Sequence, residues 1–190
     1  SINTGGVHQE CEFVPRLLVR ELQQEFTLLM RSGSFVQAES YSSNGERDGL
    51  RSAFTCRPSD SDAFWTLHER LDAVRAELIV RTGRNLADGF EAVYALYPPG
   101  GFYRKHVDSV EGTDPEGSGK RSVSYIVYLT DPHWQGSDGG QLRHFMPDGR
   151  SRDVLPVSGS LVLFDSKAVW HEVLETQRDR PCLVGWFRNR

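Results

Sequence analysis

From residue 89 onward the chain runs as short segments rich in β-branched and aromatic residues: FEAVYALY, GFYRKHVD, RSVSYIVYLT, GGQLRHFM, SRDVLPV, GSLVLFD, WHEVLE and CLVGWF. Turn residues separate them in PPGG, DPEGSG, SDGG, PDG and VSG. Glycine supplies the positive φ and proline the fixed φ that tight turns require, so such clusters end strands. No helical pattern intervenes between the segments. That disfavours a βαβ sheet, whose parallel strands need long crossovers, and leaves a sandwich or barrel.

The first half is built differently. Residues 14–31 carry Leu17, Leu18, Leu22, Phe26, Leu29 and Met30 on an i, i+4, i+8 stripe, with Pro15 near the start and Gly33 past the end. A second helix is predicted over about 61–81, through Phe64, Leu67, Leu71, Val74, Leu78 and Ile79, with Ser61 or Asp60 as its cap and Gly83 as its stop. Between the helices, SFVQAES and LRSAFT read as short strands flanking the polar loop SYSSNGERDG. The fold class expected is mainly β with N-terminal helices. Its core is a double-stranded β-helix (a cupin-like jelly roll) buttressed by those helices. We expect a single domain over 1–190, with helical support and a polar loop over about 10–88 and the jelly roll over about 89–190. The stretch VEGTDPEGSGK reads as a surface loop, because strands resume directly after it.

Composition excludes several function classes. A net charge of −4 argues against nucleic acid, which favours a basic face. No apolar run approaches the roughly 20 residues that span a bilayer, and no signal peptide is visible. Cys11, Cys56 and Cys182 are odd in number and scattered, as expected of free thiols in a reducing cytosolic or nuclear compartment. No CxxC or paired Cys-His spacing points to structural zinc.

His106 and Asp108 lie two apart in YRKHVDSV, which reads as one strand. Side chains at i and i+2 share a strand face, roughly 6–7 Å apart along the backbone, so both can reach one ion. His171, in AVWHEVLE on the next-to-last strand, can complete a facial set of three. Two histidines and one carboxylate with open positions are the ligands of non-haem Fe(II) oxygenases. Isolated histidines are more often structural, and His8, His68, His133 and His144 are read so. Arg180 follows in the turn before the last strand. It reads either as a surface arginine or as the fork that holds the carboxylate of a co-substrate beside the metal.

The string YPPGGFYRKHVDS, followed in order by RSVSYIVYLT, W…DGGQLR, PVSGSLVLFDS, WHEV and R…LVGWFR, resembles the Fe(II)- and 2-oxoglutarate-dependent prolyl 4-hydroxylases. The resemblance covers about Phe90 to Arg188. Its terminal arginine, where collagen-type enzymes carry lysine, is similar to the hypoxia-factor prolyl hydroxylases and their bacterial relatives. The resemblance implies that His106, Asp108 and His171 bind iron. It implies that Arg180 pairs with the distal carboxylate of 2-oxoglutarate, assisted by the Tyr128 hydroxyl. Tyr97 borders the same pocket, bonding either co-substrate or a metal-bound water. Arg121, Tyr103 and Trp186 fall where similar enzymes contact the target prolyl residue, Trp186 as a flat apolar wall. The loop over about 40–52 falls where the family has a lid. The implied activity is hydroxylation of a prolyl residue in a protein or peptide, with 2-oxoglutarate decarboxylated to succinate and CO2. Fe(II), 2-oxoglutarate and O2 are the implied cofactors and co-substrates, with ascorbate as reductant. A monomer acting without nucleic acid or membrane is expected.

Two departures concern the target site. PPGGFY is one residue shorter than its counterpart in the closest hypoxia-factor enzymes, and EGTDPEGSGK is longer. Alternatives therefore stay open: a hydroxylase of a free amino acid or small molecule, or a binding barrel without catalysis. A non-oxidative zinc or manganese enzyme could use the same ligands, but an Arg180–Tyr128 pair anticipates a dicarboxylate. Asp108 itself points to hydroxylation, because related halogenases leave that position small.

Overall fold

The segment RSVSYIVY ends in four consecutive apolar or aromatic residues, Tyr125 to Tyr128, so neither face of that end can meet water. In the computed structural model, which describes residue 2 and residues 5–38, 49–109 and 120–190, it is the strand Arg121–Tyr128 (β7), buried on both faces from Ser122 onward. The other strands are β1 (His8–Glu10), β2 (Val36–Gln37), β3 (Arg51–Ser52), β4 (Phe54–Cys56), β5 (Leu86–Tyr97), β6 (Phe102–His106), β8 (Leu142–Phe145), β9 (Ser151–Val154), β10 (Leu161–Asp165), β11 (Trp170–Val173) and β12 (Arg180–Asn189). The helices are α1 (Arg16–Arg31) and α2 (Asp62–Thr82). A seven-stranded sheet runs β1-β10-β7-β12-β5-β4-β2, and a five-stranded sheet runs β3-β6-β11-β8-β9. Every pairing of these strands is antiparallel.

Alternation along the strands divides the core in two. Val123, Tyr125 and Val127 of β7, with Tyr94 of β5 and Leu183 and Phe187 of β12, face the helices. There they meet Leu18, Leu22 and Phe26 of α1 and Leu67, Leu71 and Leu78 of α2. The intervening residues Tyr97, Ile126, Tyr128 and Cys182 point the other way, toward Leu142 and Val173 of the small sheet. Leu22, Leu67 and Leu71 are wholly buried, each contributing about 1.5–3 kcal/mol of transfer free energy. Helix α2 starts where the Ser61 hydroxyl accepts from the Phe64 N–H at 3.0 Å and stops at Gly83, as its sequence suggests. The helices thus stiffen one sheet from outside and leave the space between the sheets for the site.

Four details differ from the sequence reading. The segment HQE forms β1, an edge strand against β10 whose polar residues carry no alternation to announce it. LRSAFT splits at buried Ala53: β3 joins the small sheet through β6, while β4 joins the large sheet through β5. The last strand begins at Arg180 rather than Cys182. Strand β6 ends at His106, so His106 and Asp108 do not share a strand. The N–H groups of Asp108 and Ser109 instead both bond the Ser166 carbonyl at 3.0 Å, which swings the chain toward β10. Residues 40–48 of the expected lid and 110–119 of the expected surface loop lie outside the described residues. Among the described residues no helix is long and apolar enough to cross a membrane. Cys11 is exposed, Cys56 and Cys182 are buried, and all three are free.

Candidate metal centre and co-substrate cavity

Antiparallel pairing sets His171 of β11 opposite His106 of β6. Asp108, turned back by the Ser166 carbonyl, meets them. One potential ligand atom from each of the three lies within 4.8 Å of the others. Asp108 Oδ1 stands 3.4 Å from His106 Nε2 and 3.7 Å from His171 Nε2. The remaining polar atoms are tied elsewhere. Nδ1 of His106 lies 2.7 Å from the Arg104 carbonyl, and Nδ1 of His171 lies 3.0 Å from the Val169 carbonyl. A carbonyl can only accept, so each Nδ1 carries a proton, the tautomer in which a neutral ring offers its Nε2 lone pair to a metal. Ser124 donates to Asp108 Oδ2 at 2.6 Å and shares a 2.9 Å bond with Ser166.

Protonation states suit the same purpose. Burial pushes the His171 imidazole down to about 4, so it is neutral near pH 7. Burial would raise the Asp108 carboxyl, but His171, His106 and the Ser124 hydroxyl overcome it and hold the group well below the usual carboxylate range. Two imidazole nitrogens and a carboxylate form a mixed nitrogen–oxygen donor set that fits a divalent ion of the Fe(II) class.

The three groups open on a cavity of about 340 Å³ between the sheets. Tyr97, Tyr103, Arg121, Arg180 and Trp186 also line it, so every site residue expected from sequence meets there except Tyr128. Tyr128 lies just behind the wall, its ring centre 5.0 Å from the Arg180 guanidinium carbon. Arg180 is 1% exposed. Its Nε donates to the Gly140 carbonyl at 2.6 Å and its Nη1 approaches Cys182 Sγ at 3.6 Å, while Nη2 has no partner. The buried Tyr128 hydroxyl also lacks one, and burial keeps that phenol protonated. A buried cation and a buried donor left open side by side call for an anionic acceptor, and one carboxylate satisfies both.

On the other wall Tyr103 stacks on His106 with ring centres 3.6 Å apart. The Arg121 guanidinium lies 3.5 Å over the Trp186 ring and pairs with Glu91 at 2.8 Å. Arg121 Nε and Trp186 Nε1 are buried without partners. A larger groove of about 890 Å³ lies beside the start of α1; among the described residues the convergent ligand set lies in the smaller cavity. His8 and His133 are exposed and outside the ligand cluster, and His68 stacks on Phe90 at 4.4 Å. His144 faces His171 across the β8–β11 pair but stays outside the ligand cluster. Sequence reasoning passed over Ser124, Glu91 and Arg51. Ser124 alone had a visible signal, a small hydroxyl two residues from Ile126 on the face that turns inward.

The fold and the site define a jelly-roll oxygenase with a two-histidine, one-carboxylate centre. The sequence model of the 2OG-Fe(II) oxygenase superfamily matches residues 92–188, just over half of the chain, and the chain belongs to that family. A crystal structure of a Pseudomonas putida prolyl-4-hydroxylase superposes with a TM-score of 0.86 at 37% identity, covering 100% of this chain and 95% of that one. A Trichoplax adhaerens prolyl hydroxylase, solved in complex with a hypoxia-inducible-factor oxygen degradation domain peptide, shares the fold with a TM-score of 0.85 at 23% identity, over 99% of this chain and 86% of that one. The prolyl 3,4-dihydroxylase OGFOD1 of Ostreococcus tauri is 28% identical over 178 residues, covering 74% of this chain. The chain spans only 34% of that relative's length.

Proposed function

We propose that this protein hydroxylates a prolyl residue within a protein or peptide, using Fe(II), 2-oxoglutarate and O2. One observation carries the reading. His106, Asp108 and His171 converge on a cavity that Arg180 also lines, its Nη2 buried without a partner and the equally unpartnered Tyr128 hydroxyl belonging to the ring beside it. In this reading the three convergent atoms hold the iron. Arg180 and Tyr128 take the distal carboxylate of 2-oxoglutarate, and Tyr97 packs beside it. Iron with 2-oxoglutarate and O2 supplies the oxidising power to place one oxygen atom on a C–H bond, releasing succinate and CO2.

The chain's own residues orient and exclude. Ile126, Phe164 and Cys182 dry the floor of the cavity, which strengthens each charge interaction made inside it. Trp186, braced by Arg121, offers a flat face of the size of a prolyl ring. Tyr103 fixes the His106 plane by stacking. The similarity at 37% identity to a bacterial prolyl-4-hydroxylase supports a prolyl target.

The test is aerobic incubation of the Fe(II)-loaded chain with 2-oxoglutarate and candidate proline peptides, read by tandem mass spectrometry. A gain of one oxygen on proline is expected, and His106→Ala or Asp108→Ala should abolish it. Hydroxylation of free proline in preference to every peptide would redirect the reading to a small-molecule enzyme.

A further inference from the structure

Arg51, the first residue of β3, lines the same cavity as the metal cluster. Its guanidinium carbon lies 4.9 Å over the Tyr103 ring, and Tyr103 stacks on His106. The column therefore runs from a cation through a phenol ring to an imidazole of the metal centre. The same guanidinium carbon is 5.9 Å from the centre of Tyr97, whose ring also carries Arg180 at 5.1 Å.

Charge bookkeeping singles this arginine out. Three guanidinium groups face the cavity, those of Arg51, Arg121 and Arg180. Arg121 pairs with Glu91 at 2.8 Å, a carboxylate it shares with Arg188 at 3.5 Å, and Arg180 has its place in the reading above. In the reading above, a divalent iron, Asp108, Arg180 and the two carboxylates of 2-oxoglutarate balance to zero. Arg51 is left over. Among the described residues it has no carboxylate partner, and its Nε is buried without any acceptor. Two aromatic faces offset part of the cost of holding that charge in a half-buried place, but a cation in this position still gains from a desolvated anion. Both ends of the co-substrate are already engaged. A carboxylate carried by the target is then a partner of the right charge for a cation that lines the cavity.

We propose that Arg51 is a second carboxylate receptor of this cavity, binding an acidic side chain of the target polypeptide beside the reacting residue and so selecting acidic targets. The proposal rests on the reading above, in which Arg180 takes the co-substrate.

The experiment uses the full chain loaded with Mn(II) and 2-oxoglutarate under anaerobic conditions, where target binding is read without turnover. Fluorescently labelled peptides carry a central proline and one glutamate scanned through the three positions on either side, each with a glutamine twin. A second set has alanine at the centre. At one position the glutamate form should bind the wild-type chain about tenfold or more tightly than its twin. In Arg51→Gln that ratio should fall to near one, in Arg51→Lys part of it should return, and in both the affinity for 2-oxoglutarate alone should stay within about twofold. Circular dichroism confirms that each variant is folded.

The proposal is overturned if the wild-type chain shows no acid preference, or if Arg51→Gln keeps it. It is also overturned if Arg51→Gln weakens 2-oxoglutarate binding tenfold, which makes Arg51 an anchor of the co-substrate. Alanine-centred peptides binding as well as proline-centred ones would sink the prolyl reading and leave the Arg51 ratio readable. Failure of every peptide to bind overturns both.

Discussion

Ser124 donates a 2.6 Å hydrogen bond to Oδ2 of Asp108, and this leaves Oδ1 as the oxygen turned toward His106 and His171. The serine is wholly buried on β7 and also bonds Ser166, so the carboxylate plane is held from the large sheet while its reactive oxygen serves the small one. Orienting partners of this kind typically govern metal affinity by about 10- to 100-fold. Ser124→Ala should weaken Fe(II) binding within that range, measured by anaerobic metal titration, with little change in thermal stability. An unaltered metal affinity would show that the backbone turn at Ser166 orients Asp108 unaided.

Arg180 gives a different signature if, as proposed, it takes the distal carboxylate of 2-oxoglutarate. Arg180→Met removes the charge and keeps most of the apolar stem. The apparent KM for 2-oxoglutarate should rise by about 10- to 100-fold, as expected for loss of charge-assisted bonds. Tyr128→Phe removes one neutral donor and should raise it by about 3- to 10-fold. Fe(II) affinity measured without co-substrate should stay within about twofold for both variants. Equal losses in the iron and the 2-oxoglutarate titrations would refute the division of labour.

How much of this could be read before folding depends on the range of the interaction. The helices and the eight C-terminal strand segments were legible because period and turn chemistry are local. His106, His171 and Arg180 were legible because each lies on or beside a strand whose neighbours carry strong pattern. Asp108 was placed on the wrong element, since nothing local reveals that β6 ends at His106 and that Ser166 captures the next two N–H groups. Arg51 was invisible for a similar reason. Its strand has only two residues, and its place depends on LRSAFT dividing between sheets at Ala53, a decision made by pairing partners far along the chain. Glu91 reads as a solvated charge until β12 sets it opposite Trp186.

Acid stability tests a contact beside the Ser166 turn. Arg84 Nη2 bonds Asp165 Oδ2 at 2.6 Å, tying the chain after α2 to the end of β10. Burial would raise the Asp165 carboxyl, but Arg84 and the N–H groups of Ala168 and Lys167 outweigh it and lower its pKa. A depressed folded-state pKa means that the unfolded chain binds the proton more readily. The resulting stabilisation is present at neutral pH and is lost as pH falls through the ordinary aspartate range near 4 and below. Asp165→Asn should therefore cost about 1–3 kcal/mol at pH 7, and the gap to the wild-type chain should narrow below about pH 4. Urea unfolding across pH 3–7 measures it, and a gap that stays constant with pH would contradict the assignment.

Gly140 supports Arg180 in two ways, through its carbonyl and through the absence of a side chain. Its φ is +69°, and a Cβ added there would lie 2.7 Å from Arg180 Cδ and 3.2 Å from Thr176 Cβ. Arg180 is enclosed, so its stem cannot yield without moving the guanidinium. Gly140→Ala should cost about 1–3 kcal/mol of stability and also raise the KM for 2-oxoglutarate about tenfold. Gly149 supplies the control: its φ is +83° and an added Cβ meets nothing within 4 Å. Gly149→Ala carries the same kind of backbone penalty, about 1 kcal/mol, and should leave the KM unchanged. If thermal melts and 2-oxoglutarate titrations fail to separate the two variants, close packing at Gly140 has no part in holding Arg180.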